Sequence, residues 1–543
     1  MANLSDLFED LGLPWHFATK ERLSEGDVYS GLIDHGLFAD KIPPCFTTAG
    51  LGVIVSDQIG NLLDQDNEGS LKTDLNKRCH DYIRYESLRD INIPRNIGIP
   101  HPEAYAVQSL AIQKHWKEIA THCNRPSPSF SRIHVRRLSS GAIFEMNYKG
   151  PERYKHEEGE LVWMSYARYV VKTDIKSCFP SIYTHSIPWA LHGKSEAKTD
   201  SSLSGLFGNL LDKCTQNTKD RQTNGILIGP HTSSIISEII LTSIDVGLQE
   251  CGYSRVVRRI DDYEFYAADL QEAEAFVRSL GILLRDYEMS LNEKKTEIIE
   301  LPTPSIANWV QALNRHPLPK EDEITFRTVR SLLDLALELS GAAGKSTPIN
   351  YAIKMLAGHE GRLPLNARAK RLYAQEAINL ALAYPYIAPL LGKHVFERYW
   401  FDGLEKQIEE FIPNLINIGI RKLYPDPIAH GIFYALKYEV DIKLDDAALC
   451  EIVKLDDCIT NVLLHEYSIR QGVEKVSKAI AKRATEIKKL DTREKDRNWL
   501  LIYQLWSEAE LKGNGQGFLS TLKKAEFSFL NISAFKPVTT ETA

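Results

Sequence analysis

VVKTDIKSCFPSIY, residues 170–183, and RVVRRIDDYEFY, residues 255–266, decide how this chain is read. Each begins as an apolar, β-prone run, because Val and Ile favour extended backbone. Each then delivers carboxylates: Asp174 in the first, the adjacent Asp261 and Asp262 in the second. Carboxylates at the ends or turns of strands suit hard divalent cations such as Mg²⁺, which take a few protein oxygens and keep room for phosphates. Two such cations clamp the attacking and leaving oxygens of a phosphoryl transfer. An isolated Asp-Asp pair is ordinarily a solvated turn; here the order of the neighbouring segments gives it another meaning.

Working outward from these stretches, residues 169–300 alternate strands and helices. YVVKTDI reads as a strand. HSIPWALHG reads as the start of a helix, with Ser186 as its N-cap and Pro188 in the first turn. GILIGPHTSS is a glycine-bounded loop and SIISEIILTSIDVGLQE a helix. SRVVRRIDDYEFYAA is a hairpin with both aspartates in its turn. LQEAEAFVRSLGILLRDYEM is a helix, and SLNEKKTEIIEL a turn leading into a strand. The order strand, helix, helix, hairpin, helix, strand predicts an α+β sandwich rather than a doubly wound parallel sheet.

Four segments carry the chemistry, in order. Asp174-Ile175-Lys176-Ser177-Cys178-Phe179 places an aromatic ring five residues after an acid. Gly225-Ile226-Leu227-Ile228-Gly229-Pro230 has glycines that let backbone approach a ligand closely. Arg259-Ile260-Asp261-Asp262 is the third, and Leu291-Asn292-Glu293-Lys294-Lys295-Thr296 the fourth. Together they resemble the palm motifs of reverse transcriptases, over roughly residues 90–300. The resemblance implies that Asp174 and Asp261 bind two Mg²⁺ ions, with Mn²⁺ as a substitute, that the Ile175 carbonyl joins them, and that Asp262 is the less critical neighbour. It implies that Phe179 lies under the incoming sugar and excludes a 2′-hydroxyl, so that the substrates are dNTPs. Gly229 borders the nucleotide, and Lys295 is placed to protonate the leaving pyrophosphate as a general acid. The basic residues Arg136, Arg137 and Arg153 are candidates for gripping the triphosphate. Two positions depart from the family pattern: Ile228 stands where Gln is usual and Arg259 where Tyr is usual.

KIPPCF, IGIPHPEAY, PSIYTHSIPWALHGK and QTNGILIGPHTSS narrow the resemblance to the bacterial abortive-infection and defence-associated reverse transcriptases. What that implies is an antiphage-defence DNA polymerase, template-independent and protein-primed, with DNA attached covalently to protein. It also implies a homo-oligomer, a trimer or a hexamer. Two alternatives stay open. One is RNA-templated synthesis on an associated noncoding RNA, or work beside a second polymerase. The other, from a different class, is a non-catalytic RNA- or protein-binding scaffold. Paired carboxylates argue against the scaffold, since like charges repel when no metal is bound.

At 543 residues the chain is long enough for more than one domain. Residues 1–320 read as fingers and palm. From 321 to 543, stretches such as TVRSLLDLALELSG, NARAKRLYAQEAINLALAY, HVFERYWFDGLEKQIEEF and DRNWLLIYQLWSEAEL follow one another with little β-branched alternation. They read as an all-α domain of HEAT-like helical repeats, with an irregular bundle as the alternative. AYAVQSLAIQKHWKEIA reads as an amphipathic helix. The formal charge of −7 excludes a chain that is basic throughout, but not a local basic groove. The eight cysteines form no Cys-x-x-Cys pair, which removes zinc and redox motifs and fits reduced thiols in a cytoplasmic protein. INLALAYPYIAPLLG, the longest apolar stretch, is too short to span a bilayer and carries Pro385 and Pro389.

Overall fold

The computed structural model of the chain describes residues 23–60, 62–63, 74–90, 93–125, 162–304, 307–319, 323–358 and 361–536, with the backbone of three short strands between 130 and 145. Arg136, Arg137 and Arg153 lie outside the described residues. Nine strands are described: β1 (Tyr82–Asp90), β2 (Ile93–Pro100), β3 (Phe130–Ser131), β4 (His134–Val135), β5 (Phe144–Glu145), β6 (Tyr169–Asp174), β7 (Val256–Arg259), β8 (Asp262–Ala267) and β9 (Glu297–Glu300). The chain divides into two compact units. One comprises Met1–Ala39, Thr48–Tyr82 and Ile99–Thr303; the other comprises Asp40–Thr47, Ile83–Gly98 and Pro304–Ala543.

The first unit is built on a five-stranded sheet of order β3-β7-β8-β6-β9. β6 is antiparallel to both β8 and β9, and β7 is antiparallel to β8. Side chains alternate faces along a strand, so this register sorts them. One face carries Val170, Tyr266 and Val257, packed with Trp163. The pairings Lys172↔Glu264 and Asp174↔Asp262 continue along that face. The other face carries Phe265, whose ring stacks on Phe276 with centroids 4.4 Å apart. Phe276 belongs to the Leu270–Asp286 helix, which buries Ala273, Phe276, Leu280 and Leu284, one stripe at helical spacing. Asp269 caps that helix by accepting from the Glu272 amide at 2.8 Å.

Local differences from the sequence reading have physical causes. The predicted amphipathic helix is two helices, Pro102–Lys114 and Trp116–Cys123, broken at His115. The first is buried continuously from Pro102 to Ile112, so Glu103 and Gln108 find their partners inside the protein rather than in water. Gln108, for example, donates to the Thr215 hydroxyl at 3.0 Å. Ser186 is the first residue of its helix rather than the cap, and its hydroxyl donates to the Tyr287 carbonyl at 3.1 Å.

The second unit is helical apart from the two-stranded β1–β2 sheet. Leu404–Lys422 packs on Pro425–Tyr438, which packs on Cys458–Arg470, which packs on Glu474–Ile487. HVFERYWFDGLEKQIEEF is not one helix: a π-helical turn, Gly392–Phe396, is separated from Leu404–Lys422. DRNWLLIYQLWSEAEL likewise breaks at Trp506, which is extended, and restarts under a Ser507–Glu510 capping box. The N-terminal piece of this unit is tied to its C-terminal end, with the Thr47 amide donating to Phe529 at 2.9 Å and the Asn531 amide to Cys45 at 2.8 Å. β1 is anchored on Asp426, which accepts from the Tyr85 hydroxyl at 2.7 Å and the Leu88 amide at 2.9 Å. No described helix is long and apolar enough to cross a membrane.

Candidate active site

Asp174 ends β6 and pairs directly with Asp262, the first residue of β8. The Ile175 amide then donates to the Asp261 carbonyl at 3.1 Å, which fixes the Asp261 turn beside the end of β6. The three aspartates therefore meet at one end of the central strands β6 and β8. Asp174 is buried, only 6% exposed, while Asp262 is exposed. Burial, then the charges of Asp261 and Asp174, push the Asp262 carboxyl up to about 6, and Lys295 and Arg259 oppose the rise. This crowding of like charge is what a bound cation relieves.

The fourth segment lies against the same end. The Asn292 amide donates to the Asp174 carbonyl at 2.7 Å, and the Lys176 amide to Ser290 at 2.9 Å. The hydroxyls of Thr173 and Thr296 bond at 2.7 Å, locking the segment to β6. Lys295, at the end of its short 3-10 turn, reaches the Asp174 carboxylate and forms an ion pair with it. Its ammonium thus stands at the mouth of the carboxylate cluster.

The glycine-containing loop runs alongside the segment that follows Asp174. The Gly225 amide donates to Ile182 at 2.7 Å and the Ile226 amide to Phe179 at 2.9 Å. Gly225 has φ 75, and a Cβ there would meet the Pro180 carbonyl at 2.7 Å, so this close crossing requires glycine. Gly229, with φ 131, precedes the start of the His231–Glu250 helix. Phe179 is half-buried, its ring neither lost in the core nor fully solvated.

The hairpin differs from the sequence reading in one respect. Its two-residue turn is Ile260-Asp261, and Asp262 already pairs with Arg259 across the ladder. Ile260 has φ 62, the sign the first central residue of a type II′ turn requires. For a β-branched residue this is a genuine outlier. Arg259, in the position where the family has Tyr, is held across the strands by Glu264 at 2.9 Å. Ile228, the other departure, is half-buried.

Sequence reasoning missed the support beneath this turn. Arg258, fully buried, donates to Asp245 at 2.8 Å and to both oxygens of Glu238 at 2.8 and 3.0 Å. It also reaches the Ile260 carbonyl at 3.2 Å. A signal was present: Glu238 and Asp245 are seven residues apart, on one face of a largely buried helix. Such a pair must have a buried cationic partner. Cys178 lies nearby, and burial together with Asp261 pushes its thiol up to about 12, so it is inert.

Asp174, Asp261, Asp262 and the Ile175 backbone form an all-oxygen donor set, which fits hard divalent cations such as Mg²⁺ and offers no soft ligand. No curated protein matches the chain. Among the solved structures that align with it are two telomerases. One is a telomerase from Candida albicans in complex with the TWJ fragment of telomeric RNA, at 12% identity and TM-score 0.28, covering 68% of this chain and 67% of that one. The other is an apo telomerase from Candida tropicalis, at 10% identity and TM-score 0.31, covering 78% and 76%. Neither superposition is close enough to inform fold or function. Residues 95–349, a little under half of the chain, match the family reverse transcriptase (RNA-dependent DNA polymerase). That span contains all four motif segments and the carboxylate cluster they build, so the chain carries a reverse transcriptase domain and is an RNA-directed DNA polymerase-like nucleotidyltransferase.

Proposed function

We propose that the protein is an antiphage-defence DNA polymerase that adds dNTPs without a template and primes on a protein hydroxyl. The observation that carries the nucleotidyl-transfer chemistry is the meeting of Asp174, Asp261 and Asp262 at one end of the central strands, with Lys295 on Asp174. Asp174, Asp261 and the Ile175 carbonyl are the groups to hold Mg²⁺, and Asp262 supports them. The ions, when bound, neutralise the triphosphate and sharpen the attacking hydroxyl. The attacking hydroxyl gives up its proton to solvent and its oxygen bonds to the α-phosphorus as the bond to pyrophosphate breaks. Lys295 hands its proton to the departing pyrophosphate oxygen. Phe179 sits five residues beyond Asp174 and closes off space for a 2′-hydroxyl, and Gly229 lets the backbone approach the nucleotide.

The defence role, the protein primer and freedom from a template rest on the resemblance carried by KIPPCF, IGIPHPEAY and QTNGILIGPHTSS. The departures Ile228 and Arg259 favour unconventional synthesis, since Ile228 falls where conventional enzymes contact template and nucleotide. Arg136, Arg137 and Arg153 are proposed to grip the triphosphate, the helical domain after residue 320 to consist of HEAT-like repeats, and the working form to be a cytoplasmic homo-oligomer. The test is incubation of pure protein with labelled dNTPs and Mg²⁺, with neither template nor primer. Labelled protein of growing mass is expected. Incorporation that appears only when RNA template is supplied overturns the template-free reading and leaves the transfer chemistry standing.

A further inference from the structure

Arg258 is the one fully buried cation beneath the catalytic end of the strands among the described residues, and its fork is completely used. Its Nε bonds Asp245, its two terminal nitrogens bond Glu238, and one of those nitrogens also donates to the Ile260 carbonyl at 3.2 Å. Tyr263 adds its hydroxyl to Asp245 at 3.3 Å. Strand alternation explains the placement. Arg258 and Tyr263 face the His231–Glu250 helix, whereas Arg259 and Asp262, next to them in sequence, face the opposite side. The Ile260-Asp261 turn therefore hangs between a buried, rigid ionic network on one side and the carboxylate cluster on the other.

Ile260 adopts φ 62, which a β-branched residue does not adopt without compensation. The bond from Arg258 to its carbonyl is such a compensation. The next carbonyl, that of Asp261, is fixed by the Ile175 amide at 3.1 Å. Resting on the proposed transfer chemistry, we propose that Arg258, locked by Glu238 and Asp245, is a positioning residue: it holds the strained Ile260-Asp261 turn so that the Asp261 carboxylate meets Asp174 in metal-binding geometry. Arginine is required because its planar fork spans two carboxylates and a carbonyl at once. A lysine has one nitrogen and cannot reach all three.

The test uses the full chain and begins with two variants of the network. Arg258→Lys keeps the buried charge balance. The triple change Arg258→Met, Glu238→Gln, Asp245→Asn removes all charge from the network and guards against misfolding from an unpaired carboxylate. Cooperative thermal unfolding identifies which of them folds. In a folded variant, Mn²⁺ affinity measured by electron paramagnetic resonance should fall about tenfold or more, and kcat for dNTP addition should fall likewise, with KM for dNTP within about twofold. Adding Ile260→Gly to Arg258→Lys should recover part of both losses, because glycine takes this φ without strain. Wild-type Mn²⁺ affinity and kcat in a folded variant overturn the proposal, as does a loss that Ile260→Gly leaves untouched. Asp174→Asn in the parent separates the two readings. If incorporation survives that change, the transfer chemistry itself fails, whereas the Mn²⁺ measurement still judges the role of Arg258.

Discussion

Asp174 and Asp262 face each other across the β6–β8 ladder as a direct cross-strand pair. Like charges opposite one another destabilise a sheet. Here the pair is joined by a third carboxylate, Asp261, and the only cation touching Asp174 among the described residues is the exposed Lys295. An arrangement that costs stability and concentrates acceptors at the ends of central strands is the kind that a metal-dependent site requires.

Asp174→Asn should lower nucleotide incorporation by at least about a thousandfold, since it removes a charge from the centre that stabilises the transferring phosphoryl group. Circular dichroism and the unfolding midpoint should stay unchanged or rise slightly. Activity within tenfold of the parent would remove Asp174 from the chemistry.

Lys295→Ala separates two roles for the ammonium. If it protonates pyrophosphate, kcat falls by about a hundredfold while KM for dNTP and the Mg²⁺ dependence change little. If it serves only as the counter-charge of Asp174, the main change is in Mg²⁺ dependence.

Phe179→Ala should raise incorporation of rNTPs relative to dNTPs by about tenfold, a magnitude typical of steric discrimination in a pocket. The ring is half-buried and its carbonyl is held by the Ile226 amide, so the truncation leaves the backbone in place. Unchanged sugar preference would make Phe179 a packing residue and remove the main support for DNA as product.

The strands bearing Asp174 and Asp261-Asp262 were legible because β-branched runs ended by carboxylates are local signals. The helix Leu270–Asp286 was legible from its apolar stripe. The Arg258 network was not, because it depends on which face of β7 turns toward the His231–Glu250 helix, and one residue of register exchanges Arg258 with Arg259. Nor was the turn legible: nothing in the dipeptide itself predicts isoleucine at φ 62, and its carbonyl is bonded by Arg258, two residues earlier in β7, only because that side chain is held in a buried ionic network. The break at His115 escaped because Pro102–Ile112 is buried all round, leaving no polar face to mark a period. The joining of Asp40–Thr47 and Ile83–Gly98 to the helical unit rests on single contacts hundreds of residues apart, such as Tyr85 with Asp426.

That last contact gives a stability prediction for the helical unit. The Asp426 carboxylate accepts from the Tyr85 hydroxyl and the Leu88 amide, both away from water, while the His430 ring bonds the Asp426 backbone carbonyl instead. Asp426→Ala leaves those donors unsatisfied and should cost about 2–4 kcal/mol, whereas Tyr85→Phe, losing one bond, should cost about 1 kcal/mol. Denaturant unfolding measures both. Equal small effects would mean that β1 is not anchored there.

The charge cluster itself can be read by titration of the metal-free protein. Asp262 has its carboxyl raised from 3.8 to about 6, first by burial, then by Asp261, then by Asp174. A carboxyl raised in the folded state binds its proton more tightly there than in the unfolded chain. Its contribution to stability is therefore fully present below about pH 3.8 and is lost as pH rises through about 6. Asp262→Asn should flatten that fall between about pH 4 and 6 and raise stability near neutrality. Because Asp262 is exposed, solvent screening holds the gain below about 1 kcal/mol. Asp261→Asn should bring the Asp262 titration, followed by carboxyl carbon-13 resonance, part of the way back toward its ordinary value, leaving the share due to burial. An Asp262 titration unmoved by Asp261→Asn would mean that the turn carboxylate points away from the end of β6, and the three aspartates would then not form one site.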